Sequence, residues 1–280
     1  MKVVLTGATG FVGEHILAEL EKRNIIPTLL IRPTSIAFLP KSQHSIIAVD
    51  ITDLPNCNLF ELIGKPDTLI HCAWSGLPNY QSLHHFEVEL TAQYHFISRL
   101  IKDGLRNLLI TGTCFEYGMC SGALSESIVC QPTNPYGFAK NSLLQKLKYL
   151  QRSHPFNLIW ARLFYLYGHG QTKNALFSQL KQAVQHGDPI FNMSGGEQLR
   201  DYLPISTAAN YLVSLAALRQ NIDVVNVCSG APTSIRSLVE RWINENNWNI
   251  KLNLGHYAYP DYEPMAFWGD NTRLTAILKG

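Results

Sequence analysis

A doubly wound, parallel α/β sheet followed by a smaller C-terminal substrate-binding lobe is the fold class this sequence predicts, on three observations. Short apolar runs of strand length alternate with amphipathic helical stretches from Val3 to Arg162. A glycine-rich loop sits directly between the first of those runs and the first helix. Beyond Tyr167-Gly168 the alternation gives way to a looped, aromatic and proline-broken sequence.

The elements follow in order. Lys2–Leu5 is a buried strand, and Ile16, Leu17 and Leu20 recur at helical spacing up to Arg23. Between them lies Thr6-Gly7-Ala8-Thr9-Gly10-Phe11-Val12-Gly13. Glycines there let the backbone turn tightly and approach a pyrophosphate, and a helix N-terminus favours its charge. The loop from Gly7 through Thr9, Gly10, Phe11 and Val12 to Gly13 is therefore a candidate dinucleotide site. Thr28–Ile31 is the second strand, and Arg32 follows it where an acidic residue would take the adenosine ribose hydroxyls. An arginine there suits a 2′-phosphate, so NADP is preferred and NAD remains possible. Ile46–Val49 ends in Asp50-Ile51, placed for the adenine, and Thr68–Ala73 ends in Cys72-Ala73-Trp74, where small residues bring the backbone close to the cofactor. His71 in that run reads as a packed strand histidine.

An amphipathic helix is expected over 80–102, with His84, His85 and His95 on a polar face rather than as metal ligands. Asn107–Ile110 leads into Thr111-Gly112-Thr113-Cys114-Phe115-Glu116-Tyr117-Gly118. Asn134 then caps a helix from Pro135, which suits the first helical position because its missing N–H has no intrahelical partner there. Tyr136 and Lys140, four apart, share one face of that helix. Phe156–Arg162 is the sixth strand. Helices near 175–185, 207–218 and 234–246, with a strand at 224–227, complete the chain. The expected division is 1–166 for a dinucleotide-binding unit, with part of 203–228 packing back on it, and 167–202 with 229–280 for the lobe.

Composition narrows the class. The 280 residues are 46% hydrophobic and 16% charged, with a formal net charge of +2. That balance fits a soluble globular protein and gives no reason to invoke nucleic acid or an anionic membrane. The opening MKVVLTGATG runs straight into glycines, so no signal peptide is expected. No apolar run reaches the ~20 residues of a membrane span. Six cysteines without a Cys-x-x-Cys pair predict no metal site and reduced thiols in a cytoplasmic protein.

Four motifs stand in one order: the glycine loop, Asp50 after a strand, Thr113 with Tyr117-Gly118, and Tyr136-x-x-x-Lys140. Together with Arg162, Tyr167-Gly168 and the Gly196–Tyr202 segment, they resemble the extended short-chain dehydrogenase/reductases, the Rossmann-type nucleotide-sugar epimerase, dehydratase and reductase group. The resemblance implies Tyr136 as general acid/base, Lys140 on the nicotinamide ribose, Thr113 on the reacting substrate oxygen, and Arg200 on a nucleotide diphosphate. It also implies Cys114, Phe115 and Tyr165 at the substrate, and a homodimer formed through two long helices.

A lysine charge ~4 Å from the phenol, at an effective dielectric of ~20, would stabilise phenolate by about 4 kcal/mol. That corresponds to about three pKa units, so Lys140 is expected to pull Tyr136 towards neutrality. Departures from the group's patterns narrow the reaction. The Asp-Glu pair that follows the catalytic Thr in dehydratases is Cys114-Phe115 here, and Tyr165 stands where many epimerases carry a substrate-binding Asn. A cysteine–histidine epimerising pair would need Cys114 with His169, both misplaced. The expectation is an NADP(H)-dependent 4-ketoreductase of a nucleotide-linked deoxysugar. The alternatives are a 4-epimerase with tightly held NAD and a non-catalytic NADP-binding sensor.

Overall fold

The computed structural model describes residues 1–38, 44–259, 261 and 263–279. Pro260, in the aromatic C-terminal stretch, and Gly280, the end of the expected lobe, lie outside them. Seven strands form one parallel sheet: β1 (Val3–Thr6), β2 (Thr28–Ile31), β3 (Ile46–Ala48), β4 (Thr68–His71), β5 (Asn107–Thr113), β6 (Asn157–Leu163) and β7 (Asp223–Val227). They lie in the order β3-β2-β1-β4-β5-β6-β7. Strands buried on both faces need apolar runs, which β1 and the middle of β5 carry; β4 is as buried, with Leu69 and Ile70 between the polar Thr68 and His71. The winding reverses between β1 and β4, and such reversals open a crevice at the C-terminal strand ends.

Helices cover both faces. Helix α1 (Phe11–Lys22) places Ile16 and Leu20 on one side. The other side takes α2 (Leu90–Asp103) and α3 (Pro135–Ser153), through Phe96, Leu100, Leu143 and Leu147. Each such fully buried side chain contributes about 1.5–3 kcal/mol. The start of α3 is as expected: Pro135 opens it, and the Asn134 side chain accepts from the Gly137 N–H at 2.8 Å. Helix α4 (Leu176–His186) packs in a cluster apart from the sheet, whereas α5 (Ile205–Leu218) returns to the α1 side with Leu212 and Val213. Helix α6 (Ile235–Glu245) joins α4 around Leu180, Phe191, Val239 and Trp242.

The structure corrects the sequence reading in two places. Regular structure begins at His85, as a π-helical turn over His85–Glu89 leading into α2, not at residue 80. Gly76, at φ +85°, and Pro78 hold the preceding segment in a loop. A further helix, α7 (Thr272–Lys279), is too short for its periodicity to register, and its Leu274 packs into the sheet core beside α5.

Candidate active site

The glycine loop is shaped by close approach. Gly7 has φ +76°, and a Cβ there would stand 2.8 Å from the Ala73 nitrogen; one at Gly13 would stand 2.0 Å from the Gly7 oxygen. Both contacts exclude any side chain. Gly10 caps α1 with no side-chain hydrogen bond. The first-turn N–H groups therefore have no intrahelical acceptor, which makes an anion site. Phe11 and Val12 pack their side chains against the core, so this turn offers backbone only.

Gly7, Thr9, Gly10, Arg32, Asp50 and Ile51 meet Cys72, Ala73 and Trp74 around one cleft of about 540 Å³. The Asp50 carboxylate accepts from the Thr52 N–H at 2.9 Å and the Thr52 hydroxyl at 2.7 Å, which lowers its pKa; Arg32 adds a smaller pull. The close-packed loop, the open helix N-terminus and the cleft at the sheet's switch point fit a bound dinucleotide.

The floor of this cleft is a buried polar chain. The Thr6 hydroxyl contacts His71 Nδ1 at 2.8 Å, His71 Nε2 contacts Gln93 Oε1 at 2.6 Å, and the Gln93 amide donates to Glu89 at 2.8 Å. Because that amide is the donor to Glu89, Gln93 Oε1 accepts from His71 Nε2, and Nδ1 takes the Thr6 proton. His71 is neutral, its pKa pushed down to about 4 by burial first and by the Lys140 charge second.

Tyr136 stands between that cleft and a second cavity. Trp74, in the cleft wall, meets its ring edge-on at 6.0 Å; Tyr80, in the wall of the second cavity, lies 5.6 Å away. Thr113 is 6% exposed at the end of β5; its hydroxyl oxygen caps the following turn through the Phe115 N–H. Lys140 is 2% exposed, with Nζ donating to Thr111 O at 2.9 Å and lying 4.0 Å from the Trp74 ring centroid.

The electrostatics correct the expectation for the tyrosine. Burial raises the Tyr136 pKa above the ordinary phenol value, and Tyr80, Glu116 and Cys114 push the same way. Lys140 Nζ is 5.9 Å from the phenol ring centroid and turned towards Trp74 and Thr111. Burial in turn draws the lysine down to about 8. Desolvation thus outweighs the lysine charge, and Tyr136 is a neutral proton donor at pH 7.

The second cavity, about 230 Å³, brings together Phe115, Tyr165 and Arg200. Tyr80, Gln198, Tyr202, Ile235 and Glu263 also line it and were missed. Glu263 accepts from the Tyr165 hydroxyl and pairs with Arg200 at 3.0 Å. The guanidinium also donates to Leu199 O and Met265 O and lies over Phe267 at 4.5 Å. Asp201, next in sequence, turns away and accepts from the Ser229 and Gly230 N–H groups at 2.7 and 2.8 Å. Two consecutive residues thus serve the cavity and the scaffold.

Three residues take places the sequence did not indicate. Cys114, expected at the substrate, packs inward with Tyr117, Phe164 and Phe267, and burial raises its thiol pKa. His169, already out of place for a pairing with Cys114, lies exposed with its carbonyl on His15, so no cysteine–histidine pair forms. Glu116 is wholly buried, accepting from the Thr113 N–H, Trp160 Nε1 and Arg162 Nε, which commits it to the scaffold. His85, expected on a polar face, is buried with its ring 5.2 Å from that of Tyr136. No cluster of metal-ligating side chains occurs among the described residues, and no helix among them is long and apolar enough to cross a membrane.

A dinucleotide cleft at the switch point of a parallel sheet, with a Thr, Tyr and Lys at its edge, defines an NAD(P)-dependent short-chain dehydrogenase/reductase of the extended type. The chain belongs to the NAD dependent epimerase/dehydratase family, which it matches over residues 3–228. It is 28% identical over 276 residues to a dTDP-6-deoxy-L-talose 4-dehydrogenase (NAD(+)) from Aggregatibacter actinomycetemcomitans, covering 96% of this chain and 99% of that one. It is 26% identical over 257 residues to a dTDP-6-deoxy-L-talose 4-dehydrogenase (NAD(P)(+)) from Kitasatospora kifunensis, covering 88% and 79%. In fold it resembles a UDP-N-acetylglucosamine 4-epimerase from Methanobrevibacter ruminantium M1 at a TM-score of 0.85, with 22% identity over 99% of this chain and 91% of that one.

Proposed function

We propose that this protein interconverts the 4-keto and 4-hydroxy forms of a nucleotide-diphosphate-linked 6-deoxysugar, with NADP(H) preferred and NAD(H) accepted. The observation that carries this reading is the position of Tyr136 between the two cavities, with Trp74 against its ring from one and Tyr80 from the other. A reduced nicotinamide supplies the hydride. Tyr136, held neutral by burial, gives its proton to the sugar O4 as the carbonyl becomes an alcohol. Thr113 orients that oxygen, and the Lys140 charge stabilises the phenolate left behind until solvent reprotonates it. Arg200 holds the diphosphate, exchanging part of its contact with Glu263 for phosphate oxygens. Cys114 and Phe115 offer no acid or base for water elimination, and Glu116 is committed to Arg162. That argues against dehydration.

Arg32 carries the nucleotide preference, since no carboxylate adjoins it at the end of β2. In this reading residues 1–166, with part of 203–228, hold the cofactor, and 167–202 with 229–280 shape the substrate. The enzyme works in the cytoplasm as a homodimer through α2 and α3, the latter carrying exposed Phe138 and Tyr149.

Purified protein is incubated with NADPH and a panel of nucleotide-linked 4-keto-6-deoxysugars. Stoichiometric NADPH oxidation with one sugar supports the proposal, and Tyr136→Phe should cut turnover by ~10²–10⁴ while keeping NADPH affinity. Sugar interconversion without net cofactor change would replace it with 4-epimerisation. Tight cofactor binding without turnover of any sugar would point to a sensor.

A further inference from the structure

Lys140 is an ammonium with little to hold it. It is almost wholly buried, and none of the ion pairs among the described residues includes it. A buried charge without a partner is costly, and in most such places a lysine deprotonates. Beyond one carbonyl, what lies against Nζ is the face of the Trp74 indole, 4.0 Å away.

That indole is itself fixed. Its Nε1–H donates to His85 Nδ1 at 3.1 Å, and His85 Nε2 then donates to Asn79 O at 2.8 Å. Accepting at Nδ1 and donating from Nε2 leaves His85 neutral in a single tautomer. The plane cannot rotate without breaking the bond to His85, so it presents its π-face to Lys140 while standing T-shaped to Tyr136.

From this geometry we infer that Trp74 is a positioning residue of the proton-transfer pair, its indole face being the seat that keeps Lys140 protonated and aimed beside Tyr136. The inference rests on the roles given to Tyr136 and Lys140 above, and is independent of which sugar is bound. Other groups facing the lysine also favour its charge, from a greater distance than the indole. Glu116, from the turn after β5, is the largest of these influences, although Arg162 is paired with it. Glu89, ahead of α2, is held by Ser75 and Gln93, with His84 3.4 Å away. Cys72, at the end of β4, is an uncharged thiol, pushed up to about 12 by burial. His71 and His85 are neutral, and Tyr136 is an uncharged phenol. Burial pulls Lys140 down, and the π-face opposes that fall; for a desolvated contact the opposition is worth about one pH unit or more.

The test follows the Lys140 Cε resonance through a pH titration of cofactor-free, [13C]lysine-labelled protein, assigned with Lys140→Met. Trp74→Leu removes the face and should lower the Lys140 midpoint by about one unit; Trp74→Phe loses the bond to His85 but keeps a face, and should stay within about 0.3. Biosynthetic incorporation of fluorinated tryptophans, which weaken the π-face without changing its shape, should lower the midpoint stepwise even if Trp74→Leu does not fold. NADPH affinity, measured by calorimetry, should fall above the Lys140 midpoint and move down in pH with it. A Lys140 midpoint unmoved by Trp74→Leu or by fluorination would overturn the inference. Disappearance of the affinity limb in Lys140→Met, with an unmoved limb in Trp74→Leu, would overturn the seat while leaving the lysine's role standing. A limb that persists in Lys140→Met would overturn both.

Discussion

Around the cofactor cleft, the contributing residues sit at the ends of neighbouring strands in one sheet, and each is placed by a local rule of turn, cap or register. Around the second cavity, proposed above for the substrate, Tyr80, Phe115, Tyr165, Arg200, Ile235 and Glu263 come from six separate stretches of chain that meet only after folding. Their charges are handled differently as well. On the side of the first cleft, Lys140 is paired with no carboxylate among the described residues and is held by one carbonyl and a π-face. The substrate side saturates Arg200 with Glu263 and two backbone carbonyls. The contrast matches what the proposed function asks of each half. A proton-transfer group needs a charge whose influence is not cancelled, whereas a binding arginine needs a fixed fork that can trade one acceptor for another.

The largest expected effect comes from the cofactor side, where order depends on His71 remaining neutral between Thr6 and Gln93. Its folded pKa is about 4 against an ordinary 6.5. As pH falls from 6.5 to 4 the unfolded chain therefore takes up a proton that the folded chain refuses, and stability drops. The loss is roughly 3 kcal/mol. Urea unfolding at pH 7, 6, 5 and 4 should show this limb in the wild type and lack it in His71→Asn. Identical acid limbs in the two proteins would remove His71 from the account.

Next in size, Arg200→Leu should raise the KM for the nucleotide sugar up to ~100-fold, as expected for a charge-assisted fork, while NADPH affinity stays within twofold. Parallel loss of NADPH binding would mean that the halves are not separable. The smallest effect is expected at Arg32, which is exposed. Arg32→Ala should shift the NADPH/NADH ratio of kcat/KM towards NADH by about tenfold, in line with one solvent-facing charge-assisted contact. An unchanged ratio would return Arg32 to the ordinary surface.

The same contrast explains what could be read in advance. The glycine loop, Asp50, Thr113 and the Tyr136–Lys140 pair were legible because strand, turn and helix lie within a few residues of one another and the spacing fixes the geometry. Glu263 was not, since nothing in its proline-broken neighbourhood says that it meets Arg200 across 63 residues. Glu116 stands in the motif after Thr113 with nothing nearby to show its partner, since Arg162 lies 46 residues on. His85 adjoins His84 in a polar stretch, and only the loop holding Asn79 shows that it faces inward. The raised phenol of Tyr136 was equally hidden. The sequence displays the nearby lysine charge but not the extent of desolvation, and desolvation prevails.

The central claim is that Tyr136 and the cofactor together deliver a proton and a hydride to the C4 carbonyl of the sugar. It is tested most directly by following the label from NADPH deuterated at the transferable position of its nicotinamide, with mass spectrometry and NMR on the recovered sugar. The account predicts one deuterium at C4 for each NADP⁺ formed, and none with Tyr136→Phe on the same timescale. Sugar product carrying no deuterium, with NADPH unconsumed, would contradict it.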